Sequence, residues 1–465
     1  MATTSGVSLW TDTLPVDERF VAPTPGVWPD QVDVAIVGGG YTGLWTAWYL
    51  ARRDPSLRVI VVEREQVGFG ASGRNGGWCS ALLPMGLGAI ADRAGAGAAT
   101  RMQTAMHDTV TEVESFAAAH APGGVFVRGG TFDVARGTPQ LARLRDELDE
   151  YRRFGFGDDD YRWLDRDEAD TIGRIAGTQA AVYTPHCGTV HPLRLVHSLA
   201  RAVAGTGVTI LEGTAVTGVE SGAITTDAGR IRADVVIRAT EGYTCELPGE
   251  RRTMLPIYSL MVATEPLPDP VWSQIGLADR PTFADRRNMI IYGQRTADDR
   301  FAFGGRGAPY HFGSRIRPEF DRDDRIRSLL TDELRALFPA IGDAAVSHHW
   351  GGVLGVPRDW TCSVRYDRTT GFGAAGGYVG DGVATTNLAG RTLATLIVGP
   401  EVDGDEELVR LPWVGHRSRR WEPEPLRWLG VNAGRLAARR ADDHEARHDR
   451  PSGLWGGIVS ALLGH

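Results

Sequence analysis

The sequence predicts a mixed α/β (α+β) protein, in which a parallel sheet flanked by helices is joined to a smaller, mostly antiparallel sheet. Three stretches carry this prediction. Residues 32–64 read as a strand, a glycine-rich turn, a helix and a second strand. Residues 253–350 contain short alternating runs typical of antiparallel strands, and residues 371–399 form another glycine-rich turn that opens an apolar helix.

The first stretch has the spacing of a dinucleotide-binding turn. Gly38, Gly40 and Gly43 follow an apolar run at residues 34–37, and Glu63 ends the next strand. The first glycine permits the tight turn, the second lets the backbone approach a pyrophosphate, and the third lets the helix pack on the strand. The helix N-terminus offers N–H groups to phosphates, and Glu63 can accept hydrogen bonds from a ribose. This stretch therefore predicts a Rossmann-type domain.

The glycine spacing alone is weak evidence, because it recurs twice. The further copies are Gly68, Gly70 and Gly73, and Gly371, Gly373 and Gly376. Neither copy follows an apolar strand and opens a helix with an acid about twenty residues later. We therefore expect one dinucleotide site.

Composition excludes several classes of protein. The net charge of -8 and the pI near 5.9 argue against a nucleic-acid binder, which needs a basic face. The 465 residues contain no lysine, which excludes a Schiff-base lysine and a P-loop lysine. We expect no signal peptide, no membrane span and a cytoplasmic location.

The four cysteines, Cys79, Cys187, Cys245 and Cys362, have no C-x-x-C spacing. They predict neither a disulfide framework nor a zinc site, and we expect no metal.

The order of the stretches predicts two interleaved domains. Residues 31–85, 155–250 and 350–415 are assigned to the nucleotide-binding domain, and residues 86–154 and 251–349 to a substrate domain. Residues 1–30 are expected to be an irregular surface arm, and residues 416–465 a helical tail docked on the nucleotide-binding domain. Residues 124–135 are expected to form a strand pair around Gly129 and Gly130.

Several motifs together resemble the FAD-dependent D-amino-acid oxidase superfamily, which includes glycine oxidase, sarcosine oxidase and gamma-glutamylputrescine oxidase. They are the first glycine motif with Glu63, GASGRNGG at residues 70–77, VHPLRLVHSLA at 190–200, RATEGYT at 238–244, WGG at 350–352 and GGYVGDGVATTNLAGR at 376–391. The matches run in order over roughly residues 30–400. GASGRNGG looks most like the gamma-glutamylputrescine oxidase branch.

The resemblance implies bound FAD beneath an antiparallel sheet, with Val216 against the adenine and the late turn near the flavin N1 and C2 carbonyl. A helix N-terminus there would stabilise the negative charge of the reduced flavin. The expected FAD-binding residues are Gly38, Gly40, Tyr41, Thr42, Gly43, Glu63, Arg64, Gly70, Ala71, Ser72, Arg74, Asn75, Gly76, Gly77, Val216, Thr240, Gly242, Tyr243, Gly377, Tyr378, Gly380, Asp381, Gly382 and Val383.

Members of the family take a hydride from a carbon that bears an amine. Those that oxidise amino acids hold the carboxylate with an arginine. Here the stretch after Trp350 has glycine where that arginine is expected, and the later turn gains Asp381. The change favours an amine substrate, although an acid that opens a helix is also a common N-cap.

Tyr258, Arg306, His349 and Trp350 are the candidates for the substrate face. Core packing is the alternative for Tyr258 and Trp350, and a surface ion pair is the alternative for Arg306. His348 and His349 are adjacent, so on a strand they point to opposite faces.

The resemblance leaves the electron acceptor open. Sarcosine-oxidase-type members use a lysine to promote the reaction with oxygen, so the acceptor here is O2 or another molecule. Cys362 lies in the region where those members tether FAD covalently. The main hypothesis is an FAD-dependent oxidoreductase that oxidises a primary or N-methylated amine to an imine. The alternatives are an amino-acid oxidase or dehydrogenase and a catalytically silent flavoprotein.

Overall fold

The structure, a computed structural model, describes residues 8–23, 28–306, 310–400 and 405–457, with the side chain of Arg306 excepted. Two eight-stranded sheets and one three-stranded sheet are found in these ranges. The predicted combination of a parallel sheet and an antiparallel sheet is confirmed. Within the same ranges, every helix is too short or too polar to cross a bilayer.

The first sheet has a parallel centre. Its order is β19–β12–β1–β2–β9, and the strands are β1 (Gln31–Val37), β2 (Val59–Val62), β9 (Thr209–Leu211), β12 (Gly229–Arg238) and β19 (Phe372–Gly376). Antiparallel strands extend it: β10 (Val216–Glu220) and β11 (Ala223–Thr226) beside the start of β12, and β18 (Ser363–Asp367) beside β19. Every residue of β2 is buried, as expected for a parallel strand covered on both faces.

Helices cover the parallel strands and pack closely on one another. The largest apolar core includes residues of α2 (Tyr41–Arg53), α4 (Ala96–His120), α7 (Pro192–Gly205) and α10 (Gly382–Val398). Where α2 and α10 cross, a Cβ added at Gly390 would lie 2.7 Å from the Cβ of Trp45. Glycine at this position lets the two helices approach each other closely.

The second sheet is mostly antiparallel. Its order is β17–β13–β16–β15–β14–β5–β7–β6, with only β14 and β5 parallel. The strands are β5 (Thr131–Ala135), β6 (Arg162–Asp165), β7 (Ala180–Thr184), β13 (Leu255–Thr264), β14 (Thr282–Asp285), β15 (Ile291–Arg295), β16 (Phe301–Arg306) and β17 (Val346–Val356). A small third sheet joins β3 (Trp78–Ser80), β8 (Cys187–Val190) and β4 (Phe126–Val127).

Shorter helices connect and cover the sheets. They are α1 (Leu9–Asp12), α3 (Leu87–Ala94), α5 (Thr138–Arg153), α6 (Arg166–Ile172), α8 (Asp269–Ile275), α9 (Asp324–Leu337), α11 (Glu406–Val409) and α12 (Leu426–His448). A second apolar core lies beneath α9 and contains Leu330, Leu334 and Leu337 together with Phe283 and Phe301.

Strand pairing differs from the sequence prediction at three places. The strands at residues 124–135 do not form a hairpin, because β4 pairs with β8 whereas β5 pairs with β7 and β14. β6 and β7 lie within residues 155–250 yet belong to the second sheet, and β17 crosses the predicted boundary at residue 350. These partners are distant in sequence, so local alternation cannot identify them.

Both ends of the described chain also differ from expectation. The N-terminal segment is not only a surface arm, because Leu9 and Trp10 are buried in the main core. The tail helix α12 reaches the substrate-domain side, where Asp442 accepts hydrogen bonds from the backbone N–H groups of Asn288 and Met289. Trp421, which precedes this helix, is buried and donates a hydrogen bond to the carbonyl of Val356.

Candidate functional site

A cavity of about 460 Å³ lies at the carboxyl ends of the parallel strands. The N-termini of α2 and α10 both reach its wall. We call it the cofactor cavity. Its lining includes Gly38, Gly40, Tyr41, Thr42, Glu63, Arg64, Gly70, Ala71, Ser72, Asn75, Val216, Thr240, Glu241, Gly242, Tyr243, Tyr378, Gly380, Gly382 and Val383.

The first glycine turn is too crowded for other residues. Gly38 has φ +114°, and a Cβ there would lie 2.5 Å from the carbonyl oxygen of Ala239. A Cβ at Gly43 would overlap the carbonyl oxygen of Gly38. Gly38 and Gly43 therefore permit the tight turn and the close helix packing that their spacing predicts, and α2 begins directly against the end of β1.

Glu63 holds the same turn from the end of β2. Its Oε2 accepts a hydrogen bond from the Gly39 N–H at 2.7 Å, and its Oε1 accepts one from Glu65 at 3.0 Å. Burial raises the pKa of Glu63, and the two backbone hydrogen bonds oppose that rise. Glu63 also lines the cavity, and its role as the acceptor for a ribose hydroxyl stays a prediction from the motif.

The second glycine-rich stretch packs on the start of α2. Ser72 Oγ accepts a hydrogen bond from the Tyr41 N–H at 2.9 Å. Two tryptophans hold the next residues: Trp350 donates to the carbonyl of Arg74 at 2.9 Å, and Trp10 donates to that of Asn75 at 2.8 Å. The backbone of this loop is thus fixed from three directions beside the cavity.

Glu241 holds the late turn and is absent from the sequence-based candidates. Its carboxylate accepts hydrogen bonds from the N–H groups of Gly377, at 2.9 Å, and Tyr378, at 3.3 Å. Burial raises its pKa to about 7, against the lowering effect of these bonds. Tyr378 in turn contacts Thr42 at the start of α2, with 3.1 Å between the two hydroxyl oxygens. The two glycine turns are thereby joined across the cavity.

The arrangement fits a dinucleotide with a flavin. A bare backbone turn and a helix N-terminus suit the pyrophosphate, an acid at the end of β2 suits the adenosine ribose, and the start of α10 suits a ring that gains negative charge. Val216 and Val383 both line this one cavity, so the strand predicted to meet the adenine and the start of α10 face the same space.

A second cavity, of about 290 Å³, adjoins the first. We call it the substrate cavity. Both walls share Ala71, Asn75, Leu354, Gly380 and Val383. Other residues that line the substrate cavity include Arg74, Gly76, Trp78, Gln103, Asp133, Glu147, Glu150, Tyr151, Ser259, Met261, Asp285, Arg286, Ile290, Tyr292 and Asp381.

Carboxylates outnumber cations in this second wall. The acids are Asp133, Glu147, Glu150, Asp285 and Asp381, against two arginines, Arg74 and Arg286. Both arginines are already paired with acids. Arg74 is 2.5 Å from Asp321, and Arg286 contacts Asp133 and Glu147 together.

Asp381 occupies the N-cap position of α10, but its side chain does not form the cap. Within the described chain, its carboxylate accepts no hydrogen bond from the first turn of the helix. It lines the substrate cavity beside Gly380 and Val383, which also line the cofactor cavity. Asp381 is therefore the N-cap residue by position, without the side-chain hydrogen bond of an N-cap, and it lies on the wall of the substrate cavity.

The structure does not bring the four substrate-face candidates together. Tyr258 packs in an apolar cluster with Leu260 and Val353, because on β13 it points away from the face that presents Ser259 and Met261 to the cavity. His349 likewise lies outside both described cavity walls.

Trp350 is fully buried and supports the Arg74 loop from behind rather than lining a cavity. The side chain of Arg306 lies outside the described residues; its backbone pairs with Ser259. The side chains of β13 that line the substrate cavity are therefore those of Ser259 and Met261, on the opposite face of the strand from Tyr258.

Most predicted FAD-binding residues do converge. Arg74, Gly76 and Asp381 lie in the substrate cavity wall rather than the cofactor cavity wall. Gly43, Gly77 and Gly377 line neither of the two described walls; they permit close backbone packing behind them. Cys362 borders a separate pocket beside Trp413, and burial raises its pKa to about 12, so its thiol stays protonated.

Comparison with known proteins agrees with this geometry. Residues 33–396 match the model of the DAO family, described as FAD dependent oxidoreductase. The chain is 30% identical over 411 residues to "Probable oxidoreductase OrdL" of Rhizobium meliloti, covering 86% of this chain and 90% of that protein. It is 28% identical over 401 residues to gamma-glutamylputrescine oxidoreductase of Escherichia coli, covering 83% and 89%. Glycine oxidase from Geobacillus kaustophilus has a similar fold, with a TM-score of 0.65, 23% identity and coverage of 83% and 99%.

Proposed function

The chain belongs to the family of FAD-dependent oxidoreductases, and we propose that it oxidises the C–N bond of a primary or N-methylated amine. Its cofactor is FAD, and its family acts on amines or amino acids. The choice of an amine rests on the acidic wall of the substrate cavity. The similarity to gamma-glutamylputrescine oxidoreductase supports the same choice.

The main support for an amine substrate is the position of Asp381 among these acids. A protonated amine that enters the cavity meets five carboxylates and two arginines, and both arginines are held in ion pairs. Three of the acids, Asp133, Glu147 and Asp285, are also in ion pairs, with Arg286 and Arg287, whereas Asp381 lies beside residues shared with the cofactor cavity. A substrate carboxylate would need a free arginine fork and would meet like charge instead. Differential charge of this kind is a direct source of substrate specificity.

Bound FAD supplies a two-electron acceptor for the hydride on the carbon beside the nitrogen, and the resulting imine hydrolyses. The protein's contribution is to bind and orient the substrate. Asp381 attracts the ammonium group to the junction of the two cavities. Trp78, Met261 and Tyr292 provide a largely apolar wall for the carbon chain. The amine must lose its proton before the hydride leaves, since the nitrogen lone pair assists that departure.

The test is anaerobic reduction of the flavin by matched substrates. Each pair contains an amine and the same molecule with an α-carboxylate, and the loss of flavin absorbance gives the rate constant. We expect at least one amine to reduce the flavin about 100-fold faster than its carboxylate partner. Reduction by amino acids alone would contradict the proposal, and no reduction by any member would favour a silent flavoprotein. Repeating the reaction with O2 and with an artificial dye separates oxidase from dehydrogenase activity.

Amino-acid oxidation is the second candidate, and one observation favours it. The Nε of Arg286 is buried and has no hydrogen-bond partner among the described residues. That N–H group could donate to a substrate carboxylate despite the two acids beside it. The variant Arg286→Met would then abolish reduction by amino acids, whereas the amine hypothesis predicts no loss of the preference for amines.

A further inference from the structure

Three side chains outside both cavities form a cluster with metal-ligand chemistry. They are His107 on α4, Asp160 before β6 and His186 between β7 and β8. One ligand atom from each lies within 4.8 Å of the others. Asp160 Oδ1 is 2.8 Å from His186 Nε2 and 3.8 Å from His107 Nδ1.

We propose that these three residues bind a divalent transition-metal ion such as Zn²⁺. Two imidazole nitrogens and one carboxylate oxygen suit zinc and its neighbours, whereas magnesium and calcium prefer oxygen ligands alone. Two ligand atoms on a tetrahedral zinc ion lie about 3.3 Å apart, given bonds of about 2.0 Å. The two measured separations, 2.8 and 3.8 Å, lie on either side of this value.

The surroundings resemble the outer shell of a metal site. His107 Nε2, the ring nitrogen that would not bind the ion, lies 2.8 Å from the Tyr161 hydroxyl. That hydroxyl also accepts a hydrogen bond from Gln103 at 3.0 Å. Such a partner fixes the orientation of a ligating imidazole. His107 is buried, whereas Asp160 and His186 are half-buried, which leaves a route for an ion and an open side for water.

One rearrangement must accompany binding. The rings of His107 and His186 are stacked, with centroids 3.5 Å apart and planes 2° from parallel. A bound ion lies in the plane of each imidazole, so the rings must open. His186 is the more exposed of the two, and its rotation exchanges the hydrogen bond to Asp160 for a shared ion. The site would brace the substrate cavity, because Gln103 belongs to that wall.

The test is a Zn²⁺ titration of the chelator-treated full-length holoprotein by calorimetry, with Co²⁺ absorption as a second readout. We expect one tight equivalent in the wild type and its loss in His186→Asn and Asp160→Asn. Tyr161→Phe keeps the three ligands but removes the hydroxyl that contacts His107 and accepts from Gln103, so Zn²⁺ affinity should fall about 10- to 100-fold. Retained flavin in each variant shows that the fold is intact.

A matched control comes from the other stacked histidine pair. His444 and His448 lie one turn apart on the surface of α12, with ring centroids 4.3 Å apart, and can bind Zn²⁺ weakly. The double variant His444→Asn/His448→Asn should keep the tight equivalent. Loss of binding in that control would contradict the proposal. Unchanged affinity in His186→Asn, or a wild type without a stoichiometric site, would contradict it equally.

Discussion

The cofactor cavity and the substrate cavity share part of their walls, but the backbone shapes the first and side chains shape the second. The cofactor cavity is largely shaped by backbone: glycines at Gly38 and Gly43, two helix N-termini and the turn held by Glu241. The substrate cavity is shaped by side chains from α4, α5, β5, β13, β14 and β15. Backbone shape follows from short local motifs, whereas side-chain chemistry depends on strands that meet only in the fold.

This difference explains why the FAD family is readable from sequence and the substrate is not. A dinucleotide is the same in every member, so its site can be fixed by glycine spacing. The charge of the substrate cavity arises from residues such as Asp133, Glu147 and Arg286, which no motif connects.

The largest effect is expected at the backbone-built cavity. In Gly43→Ala the new methyl group overlaps the Gly38 carbonyl, so α2 must move away from β1. We expect loss of bound flavin and destabilisation of about 3 kcal/mol or more, measured by flavin absorbance and chemical denaturation. Gly430→Ala is the matched control, since its Cβ meets open space on α12. Full flavin content in Gly43→Ala would show that this glycine is not required.

The next effect is expected at the side-chain-built cavity. Asp381→Asn keeps the shape of the side chain but removes its charge at the junction of the cavities. We expect kcat/KM for an amine to fall about 100-fold, as for the loss of a buried charge pair, while FAD stays bound. Glu150→Gln, which changes an acid elsewhere in the same wall, tests whether the effect depends on position. Equal losses in both variants would indicate that the total negative charge of the wall attracts the amine, rather than a contact with Asp381.

A pH effect is expected where the backbone turn depends on a titrating side chain. Glu241 has a folded pKa of about 7, above its ordinary value, because burial disfavours its charge. The folded apoprotein then holds a proton that the unfolded chain has lost, so this group's stabilisation decreases as pH rises from about 4.5 through about 7. Glu241→Gln removes the dependence. Between pH 4.5 and 8, the free energy of unfolding of the variant should rise by about 3 kcal/mol relative to that of the wild type, measured by urea denaturation. A constant difference would mean that Glu241 keeps an ordinary pKa.

The smallest effect is expected for the supports behind the glycine-rich loop. Trp10→Phe removes the hydrogen bond to the Asn75 carbonyl. We expect the free energy of unfolding to fall by about 1 kcal/mol and FAD binding to weaken several-fold, measured by chemical denaturation and flavin titration. Trp413→Phe is the matched control, because the Trp413 Nε1 is buried without a partner among the described residues. Similar losses of FAD affinity in both variants would show that ring volume matters rather than the hydrogen bond.

Local patterns predicted the fold and the cofactor, and they failed where partners are distant. The turn from Gly38 to Gly43 and the helix α10 both follow from spacing and apolar periodicity. The prediction for Tyr258 failed because alternation on β13 does not show which face meets the cavity. The residues of this strand that line the cavity are Ser259 and Met261. Glu241 lies inside a recognised stretch, yet its left-handed φ of 42° and its bonds to the late turn are properties of the fold. His107, Asp160 and His186 have no motif spacing and meet only through three separate elements.

The most direct test of the central claim is binding of unreactive ions to the oxidised holoprotein. An alkyltrimethylammonium ion and an alkyl carboxylate of equal length differ chiefly in charge, and neither is oxidised as an amine would be. We expect the cation alone to perturb the flavin spectrum saturably, and Asp381→Asn to weaken the binding of that cation. Saturable binding of the carboxylate with no response to the cation would contradict the assignment of this cavity to an amine.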